Sequence, residues 1–210
     1  MKALWVALFA LVTAMSASAD DYELGVHYDE LPISVDTADP SRIEVVEVFS
    51  YGCIHCYSFE PAIEAWRAKQ PADIAFRRVP AMFRQDWVIL AQTYYATEVM
   101  GIVDKTHPAV FEAIHLKGMD YRNPENIARV VHEAAGVDPA DFLKTVNSFA
   151  VRSKAQQADA QGRMYRLTGT PSLIVDGKYR VYGGRLDDSN AGMLGVVDFL
   201  TAKIRAEKGR

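Results

Sequence analysis

The chain has 210 residues, a formal net charge of −4 and only two cysteines. Mild acidity argues against nucleic acid, which demands a basic face. The length suits one domain of ordinary size, or one domain carrying a large insertion.

Met1-Lys2, an apolar stretch from Ala3 to Thr13, and Ala17-Ser18-Ala19 ahead of Asp20-Asp21 have the layout of a secretory signal peptide. The apolar run is shorter than the roughly 20 residues that span a bilayer, so an N-terminal membrane anchor is the weaker reading. Cleavage is expected after Ala19, and no cysteine stands there to take a lipid. Loss of Lys2 moves the mature charge to −5.

Ile43 to Phe49 (IEVVEVF), bounded by Asp39-Pro40-Ser41 and Ser50-Tyr51-Gly52, reads as a buried central strand. From Cys53 the period changes: Phe59, Ile63 and Trp66 recur at helical spacing as far as Lys69-Gln70-Pro71. Pro61 inside this helix is expected to remove one ladder hydrogen bond and produce a kink. Ile74 to Val79 reads as a second strand, completing the opening of a βαβ unit.

From Trp87 to Leu167 there is no convincing strand. Asn123-Pro124-Glu125 offers a cap with proline at the first helical position, Gly136 closes that helix, and Asp138-Pro139 starts the next. Strand chemistry returns with Ser172 to Val175, a turn at Asp176-Gly177, and Tyr179 to Tyr182, a hairpin pattern. Asp188-Ser189-Asn190 then caps a last amphipathic helix through Leu194, Val197, Leu200 and Ile204. The predicted class is α/β, a fold interrupted once by helices, with residues 20–85 and 168–210 forming one domain around an all-helical insertion at 86–167.

The chemistry is concentrated in Cys53-Ile54-His55-Cys56. A close pair closes too short a loop to stabilise an exported fold much, because disulfide stabilisation grows with loop length. A thiol acts as nucleophile in its thiolate form, and a helix N-terminus favours that anion. Cys53 falls at this position, Cys56 one turn further in is expected to be its more buried partner, and a protonated His55 would add positive charge. A zinc site needs four ligands and only the scattered His27, His107, His115 and His132 remain, so no metal is expected. Covalent haem attachment needs His directly after the second Cys, where Tyr57 stands. Each scattered histidine is expected to be a surface or satisfied core residue. Pro171 in Gly169-Thr170-Pro171-Ser172, taken alone, reads as an ordinary strand-starter.

Glu47-Val48-Phe49-Ser50-Tyr51-Gly52-Cys53-Ile54-His55-Cys56-Tyr57, the helical insertion, and Gly169-Thr170-Pro171 followed by Val175-Asp176-Gly177-Lys178-Tyr179 together resemble the DsbA family of periplasmic disulfide-donating oxidases, from about Tyr22 to Lys203. The resemblance implies a thioredoxin-like fold, periplasmic location and no bound cofactor. Exported polypeptides would be the substrates and a DsbB-like membrane quinone reductase the reoxidant. Cys53 would be the exposed nucleophile, Cys56 its buried partner and Pro171 a cis-proline facing them. Thr170 would pair through its backbone with a substrate peptide, in a groove that His55 helps line. Glu47 matches a buried acid that helps proton movement, and Phe76 stands where members of the family often have a lysine near that acid.

Two positions depart from the pattern: Ile54 stands where proline is typical, and Thr170 where many members have valine. Thr170 is the choice common in disulfide isomerases, but those usually carry an N-terminal dimerisation domain for which the segment before Ile43 is too short, which favours a monomeric oxidase. A reductase or isomerase is the alternative within the enzyme class. A peptide-binding chaperone with non-catalytic cysteines is the alternative outside it.

Overall fold

The computed structural model describes residues 22–183 and 189–209, so the expected signal peptide and the capping Asp188 lie outside the described residues. The strands are β1 (Asp29–Glu30), β2 (Ile43–Phe49), β3 (Ile74–Pro80), β4 (Ser172–Val175) and β5 (Tyr179–Tyr182). They form one sheet in the order β1-β5-β4-β2-β3, with β2 and β3 parallel and the other pairs antiparallel. β2, central and β-branched as its sequence demands, is buried along its whole length.

Helix α1 (Ile54–Arg67) crosses between β2 and β3, and α2 (Val88–Val99), α3 (Val103–His115), α4 (Pro124–Ala135), α5 (Pro139–Val146) and α6 (Phe149–Met164) fill the stretch read as an insertion. Helix α7 (Ser189–Glu207) ends the chain. Phe59, Ile63 and Trp66 of α1 pack with Val197, Leu200 and Ile204 of α7 against Ile43 and Val45. Val46 and Val48, of opposite parity on β2, share a core with Leu90, Phe111, Ile127, Phe142 and Val151 of the inserted helices. The sheet is therefore a partition between two apolar cores.

The local signals explain the boundaries. Asn123 accepts from the Glu125 N–H, Gly136 takes φ 72°, and Asp138 accepts from the Ala140 and Asp141 N–H groups. Asp176 and Gly177 both have positive φ (51° and 61°), which the tight β4–β5 turn requires. A Cβ on Gly177 would fall 1.8 Å from the Val35 carbonyl oxygen, so only glycine fits. One boundary differs from expectation. α1 continues through Pro61 but stops at Arg67, with the Ala68 N–H bonding to the Glu64 carbonyl, short of the predicted Gln70. Beyond Ala68 the bonds shorten by one residue, the Lys69 N–H to the Trp66 carbonyl and the Gln70 N–H to the Arg67 carbonyl, so the chain tightens out of the α-helix ahead of Pro71.

Candidate active site

At the end of β2 the chain turns through Ser50–Gly52, closed by the Cys53 N–H on the Ser50 carbonyl at 3.0 Å. Cys53 then caps α1 with extended backbone (φ −99°, ψ 114°), and its Sγ accepts from the Cys56 N–H at 3.3 Å. No acidic residue occupies the first turn of α1. A cap position of this kind gives a thiolate hydrogen bonds and the positive end of a helix dipole at once.

Both thiols are free, and Cys53, expected to be exposed, is itself buried at 8% exposure under the Thr170 carbonyl, though less completely than Cys56 at 0%. Their acidities are driven apart. The Cys53 thiol is held down at about 5, chiefly by a hydrogen bond from the Cys56 side chain, helped by the backbone N–H groups of Cys56 and His55 and opposed by burial. Burial, and then the neighbouring Cys53, push the Cys56 thiol well above the ordinary range. Two residues of one type, three positions apart, thus form one ready anion and one reluctant acid.

The Thr170–Pro171 peptide bond is cis, and the Thr170 carbonyl oxygen lies 3.4 Å from Cys53 Sγ. Topology accounts for the meeting: β4 pairs with β2, so the residues that precede β4 lie beside the turn that follows β2. His55 and Ile54 are exposed in the first turn of α1. Gly52 is closely covered by Trp87, whose Nε1 would stand 2.6 Å from a Cβ there.

Glu47 is fully buried, and the partner left unidentified by sequence is Arg78, which faces it in the β2–β3 register; Phe76 faces Val45 instead. Arg78 Nε donates to Glu47 Oε2 at 2.8 Å, and Nη2 reaches Glu64 at 2.6 Å and Glu60 at 3.3 Å. Glu47 Oε1 finds no hydrogen-bond partner among the described residues. Burial outweighs Arg78 and raises the Glu47 carboxyl to about 7; burial likewise raises Glu60 to about 7.

His107, from α3, bonds Tyr51 Oη through Nδ1 at 2.9 Å and Glu60 through Nε2 at 3.1 Å. His115, also from α3, places Nε2 2.8 Å from the Tyr51 carbonyl oxygen and stacks on Tyr57 at 5.2 Å. Both side chains are satisfied, as expected, but their partners belong to the candidate site. His27 and His132 bond local backbone only. Sequence reading missed Arg78, Glu60, Trp87 and the two α3 histidines; only Glu60, one helical turn beyond Cys56, carried a local signal. Among the described residues no cluster of three or more metal-ligating side chains occurs, and no helix is long and apolar enough to cross a membrane.

The sequence pattern of the DSBA-like thioredoxin domain matches residues 72–190, a span that includes Thr170-Pro171. The thiol:disulfide interchange protein DsbA of Azotobacter vinelandii is 43% identical over 204 residues, covering 95% of this chain and 92% of the relative. The chain belongs to the DsbA family. The DsbA of Pseudomonas aeruginosa is 42% identical over 201 residues, and its crystal structure superposes with a TM-score of 0.85, covering 91% of this chain and 99% of that one. The oxidoreductase DsbA from Xylella fastidiosa, 36% identical, gives a TM-score of 0.80 over 86% of this chain. Membership accounts for the whole arrangement: a thioredoxin-like sheet interrupted by helices, a thiol pair at a helix start, and thiol:disulfide oxidoreductase chemistry.

Proposed function

We propose that the chain works in the periplasm, after removal of residues 1–19, as a monomeric donor of disulfides to newly exported polypeptides. Residues 20–85 and 168–210 form the catalytic domain and 86–167 its helical insertion. In the oxidised enzyme a substrate thiolate attacks Cys53 Sγ. The Cys53–Cys56 bond breaks, Cys56 leaves and takes up a proton, and a mixed disulfide joins substrate to Cys53. A second substrate thiolate then attacks the substrate sulfur and expels Cys53 as thiolate. The substrate has lost two electrons and the enzyme has gained them; a DsbB-like quinone reductase in the membrane returns the pair to the disulfide.

Thr170 and Pro171 offer backbone to an extended substrate, and His55 borders the same groove. Glu47, buried and poised near neutral pH, serves as a proton store for the step in which Cys56 gains or loses its proton. The observation that carries this reading is the opposition of the two thiols. A leaving group with a thiol held at about 5 departs readily as the anion, and an enzyme whose reduced form contains that stabilised anion holds electrons tightly and oxidises others.

The test is equilibration with a glutathione redox buffer, read by thiol trapping, with the Cys53 ionisation titrated alongside. The expected result is a dithiol favoured over reduced glutathione and Cys53 ionised well below pH 7. A potential near that of reducing thioredoxins, with an ordinary thiol pKa, would assign the chain to the reductases or isomerases. Cys53→Ser is expected to abolish the protein's effect on a reduced client; if its effect on client folding survived the substitution without any oxidation of the client, a chaperone role would replace the oxidoreductase reading.

A further inference from the structure

Tyr51 is held at both of its ends by one helix of the insertion. Its phenol, buried in a ring cluster with Phe49 and Phe111, meets His107 Nδ1, and its carbonyl oxygen meets His115 Nε2. The two histidines stand eight residues apart on α3, close to two helical turns, so they project from nearly the same face. Each also touches α1: His107 through Glu60, His115 by stacking on Tyr57 in the first turn after Cys56.

The hydrogen-bond directions follow from the partners. A carbonyl oxygen only accepts, so His115 carries its proton on Nε2. Burial keeps the Tyr51 phenol protonated far above the usual range, so it donates to His107 Nδ1, and His107 Nε2–H is left to donate to Glu60. Three of these four bonds and contacts bear on the turn and the helix start that set the position of Cys53 Sγ, and the fourth, to Glu60, ties down the next turn of α1.

We infer that α3 sets the reactivity of Cys53 through His107 and His115, which act as positioning residues by fixing Tyr51 at its phenol and its carbonyl. The inference rests on Cys53 being the exchanging thiol. The bonds that favour the thiolate, from the Cys56 side chain and from the Cys56 N–H at 3.3 Å, both depend on where the backbone of Cys53 holds its sulfur, two residues after the clamped carbonyl. A hydrogen bond loses strength quickly with distance and angle. Loosening the Ser50–Gly52 turn therefore weakens the thiolate before it unfolds anything, and the helical insertion acquires a direct part in redox poise.

His115→Phe keeps a ring on Tyr57 and removes the bond to the Tyr51 carbonyl; Tyr51→Phe keeps the aromatic packing and removes the bond to His107; His115→Gln restores a donor near the Nε2 position. For each, the Cys53 thiolate midpoint is read from ultraviolet thiolate absorbance and the disulfide equilibrium from a glutathione buffer, with thermal unfolding alongside. H115F is expected to raise the Cys53 midpoint and make the protein a weaker oxidant by about 3- to 10-fold in the equilibrium constant. Y51F moves both in the same direction by less, and H115Q recovers most of the loss. Variants that melt earlier but keep the wild-type midpoint and equilibrium would overturn the inference and leave the histidines a purely structural role. Wild-type protein that itself equilibrates like a reducing thioredoxin would instead defeat the proposed function, and the two failures are told apart by that control.

Discussion

On the insertion side of the β2–β3 ladder, Arg77 binds Glu44 with two parallel bonds, Nε to Oε2 at 2.9 Å and Nη2 to Oε1 at 3.1 Å, and the Ala38 N–H adds a third donor. Gln161 of α6 and Tyr165, which caps that helix, accept from the same guanidinium. On the opposite side the next residue, Arg78, has Glu47, Glu60 and Glu64 around it, and one Glu47 oxygen stays without a partner. The alternation of a strand sends neighbouring arginines to opposite faces, and each meets a glutamate of β2 there. The first pair is saturated and fastens α6 to the sheet. In the second, Arg78 is shared among three carboxylates and Arg67 pairs with the outermost, Glu64, so for Glu47 and Glu60 taking up a proton is an available remedy near neutral pH, and this imbalance lies on the face that carries the active-site helix.

Replacing Arg78 is the most damaging way to test the contrast. Arg78→Met strips the cation from the Glu47 and Glu60 carboxylates together, and removing one partner of a buried pair costs about 3–5 kcal/mol. The loss is expected at pH 8, with a markedly smaller one at pH 5, where both carboxyls, raised to about 7, are mostly protonated. Denaturant unfolding at the two pH values checks this; equal losses would mean that the glutamates are not the reason. Glu44→Gln probes the other face. It unbalances the bidentate pair with Arg77 and is expected to cost about 1–3 kcal/mol while leaving the glutathione equilibrium where it was. A shifted equilibrium would show that the two faces are not chemically separate.

Much of this was readable in the sequence because the signals are local. Seven consecutive residues from Ile43 specify a buried strand, Asp176-Gly177 supplies the two positive φ angles of a hairpin turn, and Cys53 stands where a strand pattern gives way to a helical one. The two-residue β1 has no periodicity to detect. The Arg78 partnership needed the register of a parallel pair, which aligns Ile43 with Ile74; once these are matched, Glu47 and Arg78 face each other. The α3 histidines were beyond reach for a stronger reason. They meet Tyr51 across 56 and 64 residues of chain, through helix packing that no window of sequence contains.

The mildest substitution gives the sharpest reading of the contrast. Glu47→Gln keeps the shape and lets Arg78 Nε donate to an amide oxygen, so the change in stability is expected to be small, about 1 kcal/mol at pH 7. What changes is its dependence on pH. Glu47 is raised from 4.5 to about 7 in the fold, so the unfolded chain ionises first as pH rises. The stability contributed by the neutral carboxyl is fully present below 4.5 and is lost as pH climbs toward 7. Wild-type protein should therefore lose more stability across that window than E47Q, while Glu60, raised by the same neighbourhood, keeps part of the slope in both. Unfolding free energies of the reduced proteins at pH 4.5, 6 and 7.5 measure the difference. A steeper fall in E47Q would mean that Glu47 is already ionised in the fold, with Arg78 outweighing burial, and the two faces of the ladder would then differ in geometry alone.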